Sequence, residues 1–509
     1  MEITQAEREI AIKTQLGADT LVLRSVVVRE ELARLPSMQA ELLSLKEDIP
    51  FEDLLGTNAT ISLKLSDGTR FFNGYITSIA QTGNQGSFAV YEAIIHPWLW
   101  FLTRTTDCRI FQNQTVPDII KAVFRDLGYT DFKEKLSNTY SVWDYCVQYR
   151  ETDFNFISRL LEQEGIYYYF TQEDGRHELI LADGYSSHQP ITAPSSIPFY
   201  PPDEAVVRKE ASCTHWHVAK QVLPGKYMLN DFDFKRPRAS LRSSHAIPRS
   251  HAIADYEVYD YPGEYTQIDA GNSYARTRIE ELHTGYEQAS GQSDVRTLLA
   301  GGLFTLAEHP RDDQNREYLL TAVTHTLHSD VFEGQTTTSG QHLYSNHFTG
   351  IDSKTPFRPA RITPKPHIRG PQTAIVVGPA GEEIYTDEHG RVKLQFHWDR
   401  YGKSDENSSC WVRVSQVWAG KNWGAMHIPR IGQEVIVEFL EGDPDHPIIT
   451  GRVYNGEQIP PYGLPANKTQ SGIKSRSSQG GSGANFNEIR MEDKKGAEQL
   501  YIHAEKNQD

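Results

Sequence analysis

The sequence predicts a mainly β protein with a few helices (α+β) that includes a five-stranded OB-fold barrel. Two observations carry this prediction. In residues 391–398 apolar and polar side chains alternate strictly, which is typical of a strand that covers a core on one side. Five such short strands fall within residues 373–453, and turn clusters rich in Gly, Asp and Pro separate them. Closing them into a barrel removes the exposed edges that an open sheet would leave.

The N-terminal region, residues 1–105, is also predicted to be rich in strands. Residues 20–28 and 58–65 have the β-branched content of strands. Residues 66–69 carry Asp-Gly, which is typical of a hairpin turn, and lead into a further strand at residues 70–76.

Two helices follow, each with a recognisable beginning and end. Thr115 can cap the first helix, which ends at Gly128, and Thr152 can cap the second, which ends at Gly165. The predicted inward residues are Ile119, Ile120, Val123, Phe124 and Leu127 in the first helix and Phe154, Ile157, Leu160 and Leu161 in the second. A capped amphipathic helix accounts for the charged residues of the second helix without any catalytic role.

Proline content marks a boundary in the C-terminal half. Residues 356–371 contain five prolines, and because proline fixes φ and lacks an N–H, this stretch is predicted to be an extended connector. We therefore expect a first region at residues 1–370, the OB barrel at 371–456, and a Gly/Ser-rich linker at 457–487. The last segment, 488–509, is expected to begin a different structure.

In this last segment, residues 488–492 and 500–505 alternate between apolar and polar on either side of a turn at 493–496. Two strands this short bury too little apolar surface to be stable alone. Three copies about one axis would bury four side chains together, and we predict that these form a trimer interface: Ile489, Met491, Leu500 and Ile502. The sequence stops at Asp509, directly after these strands, so we expect it to be a piece of a longer chain.

Several long stretches have a detailed and recognisable pattern: residues 147–170, 382–400, 410–414, 424–432 and 442–451. Together they closely resemble the VgrG family, the spike proteins of bacterial type VI secretion, which are similar to the hub and spike of contractile phage tails. The resemblance implies phage-hub-like β-barrel subdomains before the OB barrel and a trimeric β-helix after it.

The same resemblance implies a homotrimeric, non-catalytic piercing device. We also expect no cofactor and no bound metal. Its expected partners are a hexameric, Hcp-like inner tube at the hub end and PAAR-like tip or effector proteins at the needle end. A target membrane would be met only during puncture. The N-terminus lacks a basic region followed by an apolar run, so we expect assembly in the cytoplasm and secretion through the type VI apparatus without a signal peptide.

Charge argues against nucleic acid as a partner. The chain has 51 basic and 67 acidic residues, a net charge of −16, and a surface of this sign repels phosphate. Residues 385–455 hold eight Lys or Arg against ten Asp or Glu, so no basic groove is expected in the barrel.

One motif has the residue types of a metal site. In Cys-Thr-His-Trp-His, a regular strand would place Cys213, His215 and His217 on one face, and a fourth ligand could complete a zinc site. Neighbouring side chains on one face of a strand run parallel, however, and converge poorly on a tetrahedral ion. We therefore predict no metal here, although the sequence leaves the possibility open.

A second motif resembles an acid–base group. Asp443, Asp445 and His446 could supply one, but Asp-Pro-Asp-His-Pro is also typical of a tight turn between strands, and we predict the turn. The sequence contains no HExxH, GxSxG or EF-hand pattern. The alternative to a spike is a carbohydrate- or cell-envelope-binding module built on the OB barrel.

Overall fold

The structure, a computed structural model, describes residues 4–202, 210–329 and 343–509. The first three residues, which enter the expectation about a signal peptide, lie outside this range. The chain forms two compact units. The first consists of Met1–Thr106, Thr115–Ser141 and Thr152–Pro364, and the second of Asp107–Gln114, Val142–Glu151 and Lys365–Asp509.

Strands make up most of the secondary structure of the described residues. In chain order the first strands are β1 Ile10–Lys13, β2 Val22–Glu31, β3 Ser37–Ser44, β4 Asn58–Lys64, β5 Thr69–Gln85, β6 Phe88–His96, β7 Thr106–Phe111, β8 Gln114–Thr115, β9 Phe132–Lys135, β10 Val142–Trp143, β11 Cys146–Thr152, β12 Tyr167–Glu173, β13 Arg176–Ala182, β14 Gln189–Pro190, β15 Ser196–Pro198 and β16 Cys213–Lys220. The remaining strands are β17 Lys226–Leu229, β18 Ser243–Ala246, β19 Glu257–Asp260, β20 Glu287–Ser293, β21 Gly302–Ala307, β22 Glu317–His328, β23 Tyr344–Asp352, β24 Gln372–Val377, β25 Lys393–Phe396, β26 Arg413–Val414, β27 Ala419–Gly420, β28 Trp423–Gly424, β29 Glu434–Phe439, β30 Pro447–Val453, β31 Gln470–Lys474, β32 Glu488–Glu492 and β33 Gln499–His503. The helices are α1 Val116–Asp126, α2 Asp153–Glu164 and α3 Ile268–Thr284.

A large sheet dominates the first unit. Its order is β1-β4-β5-β6-β3-β2-β22-β23-β20-β16, with β21 joined to β22 and with β14 and β15 joined to β21. One face is apolar: Val26 and Val28 of β2 are at most 1% exposed, whereas Arg29 on the other face is exposed. This alternation confirms the strands predicted near the N-terminus. Smaller sheets, β12-β13-β9 and β18-β17-β19, complete the unit.

Both predicted helix caps are present. The Thr115 hydroxyl accepts the Asp118 N–H at the start of α1, and the Thr152 hydroxyl accepts the Asn155 N–H at the start of α2. Two residues predicted to face inward are only partly buried: Leu127, directly after α1, and Phe154 of α2, where Phe156 is fully buried instead. Helix α2 follows strand β11 directly, so its inward face is set by packing as well as by the apolar pattern. No helix in the described part of the chain has the length and apolar character needed to cross a membrane.

The second unit contains the predicted five-stranded barrel. Its strand order is β25-β24-β29-β30-β26, and a bridge between Val392 and Val412 brings β25 back to β26. Val392, Leu394 and Phe396 are at most 1% exposed, as the alternation in this stretch predicts. The barrel also receives chain from early in the sequence, since β7 pairs with β11 and both Ile110 and Tyr149 pack against its apolar core.

Candidate functional site

The last three strands form a small antiparallel sheet in the order β31-β32-β33. Its register brings side chains from all three strands into two rows on one face. The rows are Ile473, Ile489 and Ile502 in one, and Ser471, Met491 and Leu500 in the other. We refer to this surface as the apolar needle face.

The four residues predicted for the trimer interface all lie on the apolar needle face. Ile489 is 53% exposed, Met491 45%, Leu500 65% and Ile502 52%. None of them is buried within its own subunit, and Ile473 beside them is 62% exposed. Five large aliphatic side chains therefore face away from the chain that carries them, although the contact that would cover them stays a prediction.

Strand β31 was not predicted, and the expectation of a linker over residues 457–487 is wrong at residues 470–474. The sequence signal there is weak, because Ile473 is the only large apolar residue in the strand. Its neighbour Gly472 allows the close pairing, since a Cβ at this position would lie 2.4 Å from the carbonyl oxygen of Ile489. The sheet thus has three strands per chain instead of two.

The opposite face of the same sheet is polar, and most of its side chains are half-buried. Glu488 is 4% exposed, and the ring of Phe486 lies 4.6 Å from that of His503. The pairing of β31 with β32 continues beyond both strands, because the Ser475 N–H donates to the Asn487 carbonyl oxygen and the Ser477 N–H to the Asn485 carbonyl oxygen. The sheet is therefore two-sided, with one polar face that is largely half-buried and one apolar face that is exposed.

The turn between β29 and β30 holds the acidic motif. The Lys365 ammonium lies 2.8 Å from the carboxylates of both Asp443 and Asp445, and His446 Nδ1 lies 2.9 Å from Asp443 Oδ2. Burial would raise the pKa of Asp443, but the His446 hydrogen bond and the Lys365 charge outweigh it and hold this pKa well below its usual range. Burial would lower the pKa of His446, but the hydrogen bond and charge of Asp443 raise it. The predicted turn is thus stabilised by a cluster of paired charges.

The expected one-face arrangement of Cys213, His215 and His217 is wrong. The pairing of β16 with β20 shifts register between Cys213 and His215, and this β-bulge reverses the side on which the next residues lie. Cys213 is fully buried and its thiol bonds to the His215 carbonyl oxygen, whereas both histidines are exposed. Burial raises the pKa of the Cys213 thiol to about 12, so it is a poor metal ligand at neutral pH.

Another group has the residue types of a metal site and was not singled out from the sequence. In the described part of the chain, Asp387, Glu388 and His389 form the one set of three possible ligands whose atoms lie within 4.8 Å of one another. Asp387 is already bound by protein donors, because its carboxylate accepts the N–H groups of His389 and Arg391 and the Arg391 guanidinium. These bonds outweigh the effect of burial and lower the pKa of Asp387.

The charged residues of α2 also serve the fold. The Glu162 carboxylate accepts the N–H groups of Ile362 and Thr363 at 3.1 and 2.9 Å and the Thr363 hydroxyl at 2.8 Å. This carboxylate therefore anchors the proline-rich connector within the first unit, and the predicted capped helix is confirmed.

Comparison with known protein families matches three consecutive parts of the chain. Residues 29–331 match the phage tail baseplate hub (GPD) family. Residues 374–454 match the type VI secretion system/phage-baseplate injector OB domain, and residues 471–509 match the bacteriophage T4 gp5 C-terminal trimerisation domain. The last match covers β31, β32 and β33 and thus the whole apolar needle face.

Individual relatives agree with these matches. The chain is 56% identical over 513 residues to the type VI secretion system spike protein VgrG1b of Pseudomonas aeruginosa, covering 100% of this chain and 69% of the relative. It is 55% identical over 506 residues to VgrG1a of the same bacterium, covering 99% and 78%.

Among solved structures, the E. coli c3393 protein, described as a type VI secretion component similar to the T4 tail proteins gp27 and gp5, has the same fold. It superposes with a TM-score of 0.63 at 21% identity, over 87% of this chain and 99% of that protein. The mainly β, hub-and-OB architecture predicted from the sequence is therefore confirmed. Because it is more than half identical to two VgrG spike proteins along its own length, and because three of its regions match in order, this chain belongs to the VgrG family of type VI secretion system spike proteins.

Proposed function

We propose that this chain works as a homotrimeric, non-catalytic spike that pierces a target envelope and carries effectors with it. The observation that carries the trimer is the apolar needle face. Ile473, Ile489 and Ile502 stand side by side on three paired strands and point away from their own subunit. Contiguous exposed apolar surface of this kind marks an interaction site, and a match to a trimerisation domain supports two further copies as the occupants.

A trimer closed in this way suits a mechanical task. Each chain contributes three strands, so the root of the needle would contain nine strands around a common apolar centre. Opening one chain would then require loss of contacts from the other two, which makes the assembly resist force along its axis. Burial of each aliphatic side chain contributes about 1.5–3 kcal/mol when complete, and the contribution is repeated in all three subunits.

The charged clusters support a structural role over a catalytic one. Asp443 and Asp445 share Lys365, and Glu162 is occupied by main-chain and hydroxyl donors. General acid–base catalysis needs a group within hydrogen-bond reach of a substrate. Carboxylates that already bond to their own chain are poor candidates for that work.

The partners and the route of export follow from the family. We propose that the hub end of the trimer docks on a hexameric, Hcp-like inner tube and that the needle end receives a PAAR-like tip or an effector. Assembly would take place in the cytoplasm, and the trimer would leave through the type VI apparatus without a signal peptide. Contact with a target membrane would be limited to the moment of puncture.

A carbohydrate-binding role is the second candidate, because the OB barrel carries two exposed tryptophans, Trp418 at 63% and Trp423 at 58% exposure. Binding experiments separate the two functions. The purified chain, mixed with an Hcp-like hexamer of a type VI secretion system, is expected to co-elute as three chains per hexameric ring. Absence of that complex, together with saturable binding of soluble peptidoglycan fragments by a single chain, would instead favour the carbohydrate-binding module.

A further inference from the structure

A short hairpin on the barrel carries a cluster of exposed apolar side chains. It comprises residues 417–426 and is built on β27 and β28, and we refer to it as the tryptophan hairpin. Four of its side chains are largely exposed: Val417 at 93%, Trp418 at 63%, Trp423 at 58% and Met426 at 71%. Soluble proteins tolerate single exposed apolar residues, but a cluster of four is typical of a contact surface.

The tryptophan hairpin has a defined shape. The two indole rings lie 5.0 Å apart at 80° to each other, and the Ala425 N–H donates to the Trp418 carbonyl oxygen at 2.8 Å. Gly424 has a φ of +136°, and a Cβ there would lie 2.3 Å from the Trp418 carbonyl oxygen. Only glycine fits this position, so the backbone is adapted to hold both rings outward.

The hairpin is tied to the needle sheet through the loop that follows it. Arg452 of β30 donates to the His427 carbonyl oxygen, directly after the hairpin. Three residues later in the chain, Arg430 donates to the carbonyl oxygen of Arg476, which lies just beyond β31. The tryptophan hairpin and the apolar needle face therefore belong to one continuous, hydrogen-bonded part of the second unit.

The needle face alone is small for a stable subunit contact. Complete burial of an Ile, Leu or Met side chain removes about 60–120 Å² from water, so five half-exposed residues offer roughly 150–350 Å². A standard interface buries about 800 Å² per partner. Two tryptophans, each able to bury about 150–250 Å², together with Val417 and Met426, supply a large part of the difference.

We propose that the tryptophan hairpin packs against a neighbouring copy of this chain and forms a second ring of subunit contacts at the barrel. This inference rests on the proposed trimer. Two observations favour a second copy as the occupant. The hairpin is hydrogen-bonded into the same part of the second unit as the needle face, and the needle face alone offers less area than a standard interface buries. The perpendicular rings favour it over a sugar, because they do not form the flat platform on which a sugar ring would stack.

The test compares three forms of the full chain by sedimentation velocity over a dilution series. They are the wild type, the double variant Trp418→Ser/Trp423→Ser, and Tyr256→Ser as a control that removes an aromatic residue of 65% exposure from the first unit. The double variant is expected to dissociate at a trimer concentration about 30-fold or more above that of the wild type and the control. Hydroxyl-radical footprinting of the wild type is expected to show slower oxidation of Trp418 and Trp423 in the trimer than after dilution to monomer.

The outcomes are distinguishable. In one outcome, the wild type forms a trimer while the double variant dissociates at the same concentration as the control. If both tryptophans of the wild type are then also oxidised equally at all concentrations, the hairpin contact is overturned and the proposed trimer still stands. A monomeric wild type would contradict the proposed function itself. Soluble peptidoglycan fragments could instead quench the tryptophan fluorescence of the wild type saturably. If this quenching is lost in a double variant that stays trimeric, the hairpin is a carbohydrate-binding site and not a subunit contact.

Discussion

The carboxylate of Asp445 accepts the main-chain N–H of Val147 at 2.6 Å, although the two residues are 298 positions apart in the sequence. Asp445 lies in the turn between β29 and β30, and Val147 lies on β11, within the second of the early segments that join the barrel unit. A second oxygen of the same carboxylate lies 2.8 Å from Lys365. One buried side chain thus holds three separate parts of the chain together.

Replacement of Asp445 should therefore destabilise the barrel unit. Asp445→Ala removes a charge-assisted bond to the backbone and an ion pair with Lys365, with an expected loss of about 2–3 kcal/mol in the free energy of unfolding. Asp445→Asn keeps an acceptor for Val147 and should lose less. Urea unfolding followed by circular dichroism measures both against Glu388→Ala, a carboxylate that is 85% exposed. Equal urea midpoints for Asp445→Ala and this control would show that Asp445 does not stabilise the barrel unit.

The glycines that end the first two helices should differ in their tolerance of alanine. Gly165 has a φ of +72°, and a Cβ there would lie 2.5 Å from Thr277 Cγ2, whereas Gly128 has a φ of +83° with open space around it. Gly128→Ala is expected to cost about 1–2 kcal/mol for the left-handed backbone alone. Gly165→Ala adds steric overlap and should cost about 1–3 kcal/mol more. Thermal unfolding of the two variants checks this order, and equal stabilities would mean that Thr277 moves aside freely.

A buried histidine should make stability depend on pH. Burial and the nearby Arg70 charge together lower the pKa of His325 to about 4, against the opposing effect of Glu30. Between pH 6.5 and 4 the unfolded chain binds a proton at this residue that the folded chain does not, so stability falls as the pH falls. This difference in proton binding lowers the free energy of unfolding by about 2–3 kcal/mol at pH 4.5.

The variant His325→Gln cannot bind this proton and is expected to lose less stability between pH 6.5 and pH 4.5 than the wild type. His347→Gln, on the exposed face of the same sheet, serves as the matched control and should follow the wild-type curve. Urea midpoints at a series of pH values provide the measurement. Parallel curves for the wild type and His325→Gln would show that His325 takes up its proton in the folded state as well.

Local chemistry explains what could be predicted from the sequence. The caps Thr115 and Thr152 and the stop at Gly165 are set by hydrogen bonds within a few residues, and each is present in the structure. The barrel strands are signalled by alternation, which a half-buried strand requires whatever its partners are. The four predicted needle residues also lie together on one face, because a strand period of two fixes which residues point the same way.

The features that could not be predicted depend on distant partners. Strand β31 has one large apolar residue, Ile473, and is a strand because β32 pairs with it. The bulge at Cys213 is a feature of pairing with β20, and a one-residue change of register reverses the faces. The bond between Val147 and Asp445 has no sequence signal at either end.

The apolar needle face is central to this account, and the mass of the purified chain tests it most directly. Multi-angle light scattering should give three times the 57.7 kDa of one chain, about 173 kDa. The variant Ile489→Asp places a charge at the centre of the face and should shift the mass toward 57.7 kDa, while Val222→Asp, at a residue of 65% exposure in the first unit, should stay trimeric. A wild-type mass of 57.7 kDa at every concentration, unchanged by Ile489→Asp, would contradict the proposal that three copies share this face.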